Sequence, residues 1–264
     1  MKLLALDFDG VIADSAPEAF WVALRTFAAL RPETRLAAGR AALLAERQAP
    51  SPGAVAEDPL YAPFLALMPL GNRAEDFGVA LLALEGGAAL PDQPRYDAFR
   101  ARQSGSWLRD YHDRFYRIRE ELCAADPRGW HALTAPYAPF LDLLRRRAGD
   151  ALLAIATAKD RRSVAALLSS YGIGHLFPER RILDKETGVS KVEHLVHLQR
   201  AEGVPFSEIT FLDDKVNHLD RVRSLGVRCG LASWGYNGPR EVQAARARGY
   251  LVCALADAEA LLFS

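Results

Sequence analysis

Two rhythms of hydrophobic and polar residues run along this chain. At the N-terminus a short apolar run, Leu3-Leu4-Ala5-Leu6, is closed by the acids Asp7 and Asp9 and reads as a buried strand. From about residue 136 onward the same kind of run returns at intervals, predicting strands over 151–156, 181–183, 209–212, 227–232 and 250–255. Helix-like segments lie between them near 139–147, 160–171, 191–202, 217–225 and 239–248. Gly149, Gly172, Gly203, Gly226 and Gly249 fall where those helices should stop, as glycine C-caps do. Alternating strands and helices with near-continuous apolar strands predict an α/β fold with a doubly wound parallel sheet.

The middle of the chain follows the other rhythm. Ser15, Pro17 and Glu18 spell a capping box that opens a helix. Alanine-rich stretches follow at 18–30 and 36–48, then a break at Pro50-Ser51-Pro52-Gly53. A helix over 74–84 would place Phe77, Ala80, Leu81 and Leu84 on one stripe. Leu108, Tyr111, Phe115, Ile118 and Leu122 recur at three- and four-residue steps, the spacing of an amphipathic helix. Asp126-Pro127-Arg128-Gly129 reads as a linker back. The expected organisation is therefore an α/β core formed by 1–15 and 130–264, with an all-α domain inserted at 16–129. Ligands of open parallel sheets bind beyond the carboxyl ends of the strands, so an insert after the first strand is expected to act as a lid.

Composition narrows the picture. Of 264 residues half are hydrophobic, which excludes wholesale disorder, and 33 basic residues balance 33 acidic ones. That neutrality gives no basis for a nucleic-acid-tracking surface. No apolar run approaches the roughly 20 residues that span a bilayer, so neither a membrane nor a nucleic-acid partner is expected. Asp7 cuts the N-terminal run too short for a signal segment, and Cys123, Cys229 and Cys253 make no disulfide framework or metal knuckle. A cytoplasmic protein is expected; the pattern says nothing of its oligomeric state.

Candidate chemistry gathers at the predicted strand ends. Asp7-Phe8-Asp9-Gly10-Val11-Ile12-Ala13-Asp14-Ser15 follows the first strand, Thr157 ends the second, Lys191 heads a helix, and Asp213-Asp214 ends the strand over 209–212. Asp7, Asp9, Asp213 and Asp214 could not all ionise together without compensation, which a hard divalent cation and the Lys191 ammonium could supply. Oxygen-only ligands favour Mg²⁺. Acids spaced two apart can divide labour as nucleophile and general acid/base, while Gly10 lets backbone N–H groups approach an anion. Each feature has a plainer reading as a turn former, helix cap or solvated residue. Lys159 and Lys185 compete for the lysine role, and Asp184 is a further acid in reach.

The first of these segments resembles the DxDGVxxDS motif of the haloacid dehalogenase-like superfamily, in the subgroup of phosphoglycolate phosphatase and β-phosphoglucomutase. Thr157-Ala158-Lys159 is similar to its Thr-Asn-Lys motif, departing at Ala158, and Lys191 matches its third-motif lysine. Asp213-Asp214 with Asn217 resembles the acidic fourth motif, Arg223-Ser224-Leu225-Gly226-Val227 its helix-to-Gly ending, and Trp234-Gly235-Tyr236-Asn237 its tail. The resemblance covers roughly 1–15 and 130–264 and implies a Rossmann-like core with a helical cap. It also implies a Mg²⁺-dependent phosphohydrolase for a small phosphorylated metabolite. Asp7 would attack phosphorus to form an aspartyl-phosphate, and Asp9 would protonate the leaving oxygen and then deprotonate water. Asp7, the Asp9 carbonyl and Asp213 would hold Mg²⁺, with Asp214 close by. Thr157 and the Ala158 N–H would hold phosphoryl oxygens and Lys191 would offset charge; Gly10 and Asp14 complete the substrate side, and Arg73, outside the resemblance, is a further candidate there.

Other readings remain at this stage. A phosphomutase would share the first motif, and a non-catalytic binding protein could keep the fold. A dehalogenase has no need of Asp9. A phosphonatase would want a cap lysine, and 16–130 contains none. Asn72-Arg73-Ala74-Glu75-Asp76 could be a substrate loop or a helix start, and Asn217 stands where an acid is common in the family.

Overall fold

The computed structural model describes residues 1–38, 40, 44, 48–71, 73–184, 186–188 and 190–263. Most of the alanine-rich stretch over 36–48, together with Asn72 and Lys185, lies outside them. The chain divides into two compact units, Met1–Asp14 with Pro136–Ser264, and Ser15–Ala135.

The first unit is built on a six-stranded sheet. Its strands are β1 (Leu3–Leu6), β2 (Leu152–Ala156), β3 (Ile182–Leu183), β4 (Ile209–Asp213), β5 (Arg228–Ala232) and β6 (Leu251–Cys253). They lie in the order β3-β2-β1-β4-β5-β6 and every pair is parallel. The order runs outward from β1 in both directions, so the switch point of this doubly wound sheet adjoins β1. Strands buried on both faces need apolar side chains throughout, and all four residues of β1 are fully buried. On one face Leu3, Ala5 and Phe211 pack with Leu195, Leu198 and Leu219 from the helices that follow. Register brings the strand ends level: Leu6 stands opposite both Ile155 and Leu212, so Asp7 emerges beside Asp213 and Thr157 follows one residue further on.

The helices of this unit start and stop where the local chemistry dictates. Asp160 and Ser190 accept hydrogen bonds from the N–H groups of Ser163 and Glu193 and cap the helices Arg161–Ser170 and Lys191–Glu202. Gly172, Gly203, Gly226 and Gly249 take the left-handed conformation expected of C-caps. Gly149 does not: the Ala138–Arg146 helix ends earlier, in a turn closed by Asp150 N–H on Arg147 O at 3.0 Å.

The second unit is helical. Its main helices are Ala16–Leu30, Tyr61–Leu67, Ala74–Gly86, Gln93–Ala101, Gly105–Ala125 and Pro127–Ala132. Their core is a chain of rings, Phe20 to Phe64 to Phe77 to Phe115, at centroid distances of 5.3, 5.6 and 5.7 Å. Three expectations are corrected here. The unit extends through Ala135 beyond the expected residue 129, because Trp130 packs inward and its Nε1 donates to Glu18 at 3.2 Å. Glu18 is therefore not the partner of a capping box, and Ser15, at φ −105° and ψ 7°, makes no side-chain cap hydrogen bond. The Pro50–Gly53 break instead starts a short helix, Pro52–Ala56, since Ser51 Oγ accepts from Ala54 N–H and proline suits the first turn. No helix among the described residues is long and apolar enough to cross a membrane.

Candidate active site

The strand ends of the α/β unit carry a dense polar cluster. Asp7 follows β1, with Oδ1 accepting from its neighbour Phe8 N–H at 2.7 Å and from Lys191 Nζ at 2.8 Å. After Asp7 the chain curls tightly: Ile12 N–H donates to Phe8 O at 2.9 Å and Gly10 N–H to Ala13 O at 2.8 Å. Gly10 sits at φ +81°, and a Cβ there would lie 2.5 Å from Asp214 Oδ2, so only glycine lets this loop pass the fourth strand end. Asp9, in the same curl, has Oδ1 paired with Lys159 Nζ at 3.0 Å.

The other strands add their own groups. Thr157, buried just past β2, accepts from Lys159 N–H at 3.1 Å, whereas Ala158 between them is exposed. Lys191 opens its helix from a buried position and reaches back to Ala156 O, to Asp7 and, at 3.5 Å, to Asp213 Oδ2. Asp213, which ends β4 with no exposed surface, accepts from Lys215 N–H at 2.9 Å and from His218 Nδ1 at 3.0 Å. Asp214 turns the other way, accepting from Tyr236 N–H at 2.7 Å. The Trp234–Asn237 tail clamps this corner: Asn237 Nδ2 donates to Asp214 O at 3.2 Å, and Tyr236 OH donates to Asp14 at 3.1 Å.

Burial and neighbouring charge split the acids into two kinds. Burial pushes the Asp7 carboxyl up to about 6, with Lys191 opposing it and Asp213 adding to it. Burial also lifts Asp214 well above the carboxylate range, and Asp213 and Asp7 reinforce it against the pull of Lys215. Asp213 resists its burial because His218 and Lys191 stand beside it, and it is held well below the usual value. Lys191 stays charged for the complementary reason: burial disfavours its ammonium, but Asp7 and Asp213 outweigh that and raise it. The result is an ionised Asp213–Lys191 pair beside an Asp7 that burial makes more basic than an ordinary aspartate, a setting suited to a carboxylate nucleophile.

Asp7, Asp9, Gly10, Asp14, Thr157, Lys191, Asp213 and Asp214 thus all lie on this corner of one unit. Two features differ from expectation. Lys159, considered as an alternative to Lys191, is present as well as it, each lysine holding a different acid of the first motif. His218, not singled out in sequence, contacts Asp213, while Asn217 is exposed. The signal was its place in the first helical turn after an acidic strand end, a position that points back at the strand. Arg73 belongs to the other unit, where it is exposed and its N–H donates to Asp76 Oδ2 at 3.1 Å, opening the Ala74–Gly86 helix. For the local segment the helix-start reading therefore holds.

Comparison with solved structures decides the fold. A haloacid dehalogenase-like hydrolase of Streptococcus pneumoniae superposes over 99% of this chain and 98% of its own, at a TM-score of 0.63 and 13% identity. The chain has the haloacid dehalogenase-like fold. Two further structures with that fold agree. One is a phosphoglycolate phosphatase candidate from Lactobacillus delbrueckii subsp. bulgaricus, with TM-score 0.67, 14% identity and coverage of 100% and 98%. The other is described as a predicted phosphoglycolate phosphatase from Haemophilus somnus, with TM-score 0.59, 20% identity and coverage of 99% and 97%. In sequence, a curated Pseudomonas savastanoi protein named "Probable phosphoglycolate phosphatase" is 31% identical over 93 residues. That match spans 34% of this chain and 57% of the relative's length. No protein-family model matches the chain.

Proposed function

We propose that this chain is a phosphohydrolase that cleaves a small phosphate monoester through an aspartyl-phosphate on Asp7. The observation that carries the reading is the pairing at the switch point. Asp7 is bound to Lys191 at 2.8 Å, Asp9 two residues on is bound to Lys159 at 3.0 Å, and Thr157 lies on the adjoining strand end. The fold shared with hydrolases, and the partial sequence match to a protein named for phosphoglycolate, favour phosphate monoesters as the substrate class.

In the proposed reaction an Asp7 oxygen attacks phosphorus and the P–O bond to the leaving group breaks. Asp9 gives its proton to the departing alkoxide. Asp9 then takes a proton from water, whose oxygen attacks the phosphorus of the acyl-phosphate, freeing inorganic phosphate and restoring Asp7. Lys191 and Lys159 offset charge on the attacking carboxylate and the phosphoryl oxygens, and Thr157 supplies a hydroxyl donor. Phosphoryl transfer depends chiefly on such positioning and charge neutralisation. The donors fit a divalent cation: one ligand atom each of Asp7, Asp213 and His218 lie within 4.8 Å of one another. Asp7 and Asp213, with the Asp9 carbonyl, would hold Mg²⁺, and Asp214 stands beside them. When bound, the ion would neutralise charge on the transferring phosphoryl group.

The test is phosphate release from a panel of phosphorylated metabolites, phosphoglycolate included, in Mg²⁺ and in EDTA, with the Asp7→Asn variant alongside. Release that requires both the ion and Asp7 is expected. Release that survives Asp7→Asn would reject the nucleophile, and no release from any ester would reject the hydrolase reading.

A further inference from the structure

One group in the strand-end cluster, counted above among the donors that fit a cation, has been given no role of its own. His218 lies in the first turn of the Val216–Val222 helix, and its Nδ1 stands 3.0 Å from Asp213 Oδ2 and 3.1 Å from Oδ1. Its side chain is 16% exposed and that of Asp213 is fully buried. A carboxylate oxygen accepts, so this contact places a hydrogen on Nδ1 when no ion is bound. Of the other acids nearby, Asp9 is engaged by Lys159 and Asp214 Oδ2 by Tyr236 N–H. The imidazole, not either of these carboxylates, joins Asp7 and Asp213 in a set of ligand atoms within 4.8 Å.

Bonds from oxygen or imidazole nitrogen to small divalent ions are about 2.1 Å long. Two donors at right angles about such an ion therefore stand about 3.0 Å apart, and two opposite donors about 4.2 Å. The 3.0 Å separation of His218 and Asp213 matches neighbouring donors about one ion. Building on the metal-dependent phosphohydrolase reading, we propose that His218 is a direct metal ligand together with Asp7 and Asp213. The site then favours a first-row transition ion such as Co²⁺ over Mg²⁺ more strongly than an all-oxygen site would. Imidazole is a borderline donor whose affinity climbs along the transition series, whereas Mg²⁺ prefers oxygen and keeps its water. A ring that binds the ion through Nδ1 carries its one hydrogen on Nε2.

The experiment titrates the wild-type chain and His218→Gln with Co²⁺ alone and with Mg²⁺ alone, by calorimetry and by proton NMR. With Co²⁺ the wild type should show an exchangeable imidazole N–H proton shifted far downfield, absent from His218→Gln. The substitution should weaken Co²⁺ about ten-fold or more and Mg²⁺ less than about three-fold. Bound Co²⁺ without that resonance, or equal losses for both ions, would make His218 a brace for Asp213 and overturn the proposal. Should His218→Gln fail to fold, the wild-type resonance alone decides. Absence of binding for both ions would also overturn it. Asp7-dependent phosphate release from the same preparation would then show whether the hydrolase reading falls with it.

Discussion

Both units of this chain bury carboxylates, and the strand ends of the α/β unit treat them differently from the helical unit. Among the described residues of the helical unit, each buried acid is matched by donors. Glu18 is held by Arg119 at 2.8 Å and Trp130 Nε1 at 3.2 Å, and Asp76 by Arg100 at 2.8 Å and Arg73 N–H at 3.1 Å. In the α/β unit Asp213 raises the proton affinity of buried Asp7 and Asp214, while His218 and Lys191 hold Asp213 itself low. A buried acid satisfied by local donors braces a fold. Buried acids crowded together at strand ends, with a buried lysine between two of them, have perturbed proton affinities, a pattern that points to a candidate binding or catalytic site.

Substitutions can break this contrast. The largest effect is expected for Asp7→Asn: phosphate release should fall by about 10³-fold or more while circular dichroism and unfolding midpoint stay near wild type. Glu18→Ala should do the reverse, costing about 3–5 kcal/mol in urea unfolding by stranding the buried Arg119 and Trp130 donors. If Glu18→Ala left stability intact, the bracing role would be wrong.

Smaller effects sharpen the comparison. Lys159→Met removes the partner of Asp9 and should lower kcat by about 10²-fold with little change in stability. Gly10→Ala puts a side chain at φ +81° against Asp214, so a loss of about 2–3 kcal/mol in thermal unfolding is expected. Asp184 is 2% exposed; burial works against its charge, but hydrogen bonds from Thr187 and Arg161 N–H hold it below its ordinary 3.8. A depressed pKa contributes stability above about pH 4 and loses it as pH falls further. Asp184→Asn should cost about 1–2 kcal/mol at neutral pH, and the deficit should shrink toward pH 3 in a stability-versus-pH series.

Much of this was legible in the sequence, for identifiable reasons. Strands buried on both faces must be apolar throughout, so β1, β2, β4 and β5 announced themselves, and the acids at their ends followed from where each run stopped. The helix near 191–202 was legible because Gly203 marks its end, and Lys191–Glu202 is what forms. What stayed hidden depends on partners distant in sequence. Glu18 fits a capping box by spacing, yet Trp130 and Arg119, more than a hundred residues on, claim it. Lys159, weighed in sequence as a rival to Lys191, meets Asp9 because β2 adjoins β1, whereas His218 went unremarked although Asp213 lies only five residues before it.

The central claim is that Asp7 itself takes up the phosphoryl group. Wild-type chain and Asp7→Asn can each be mixed with an ester that the wild type turns over, quenched in acid within the first turnover, and mapped by mass spectrometry. A phosphate adduct on the peptide carrying Asp7, missing from Asp7→Asn, is the predicted result. Turnover with no adduct on that peptide, or with the adduct elsewhere, would contradict it.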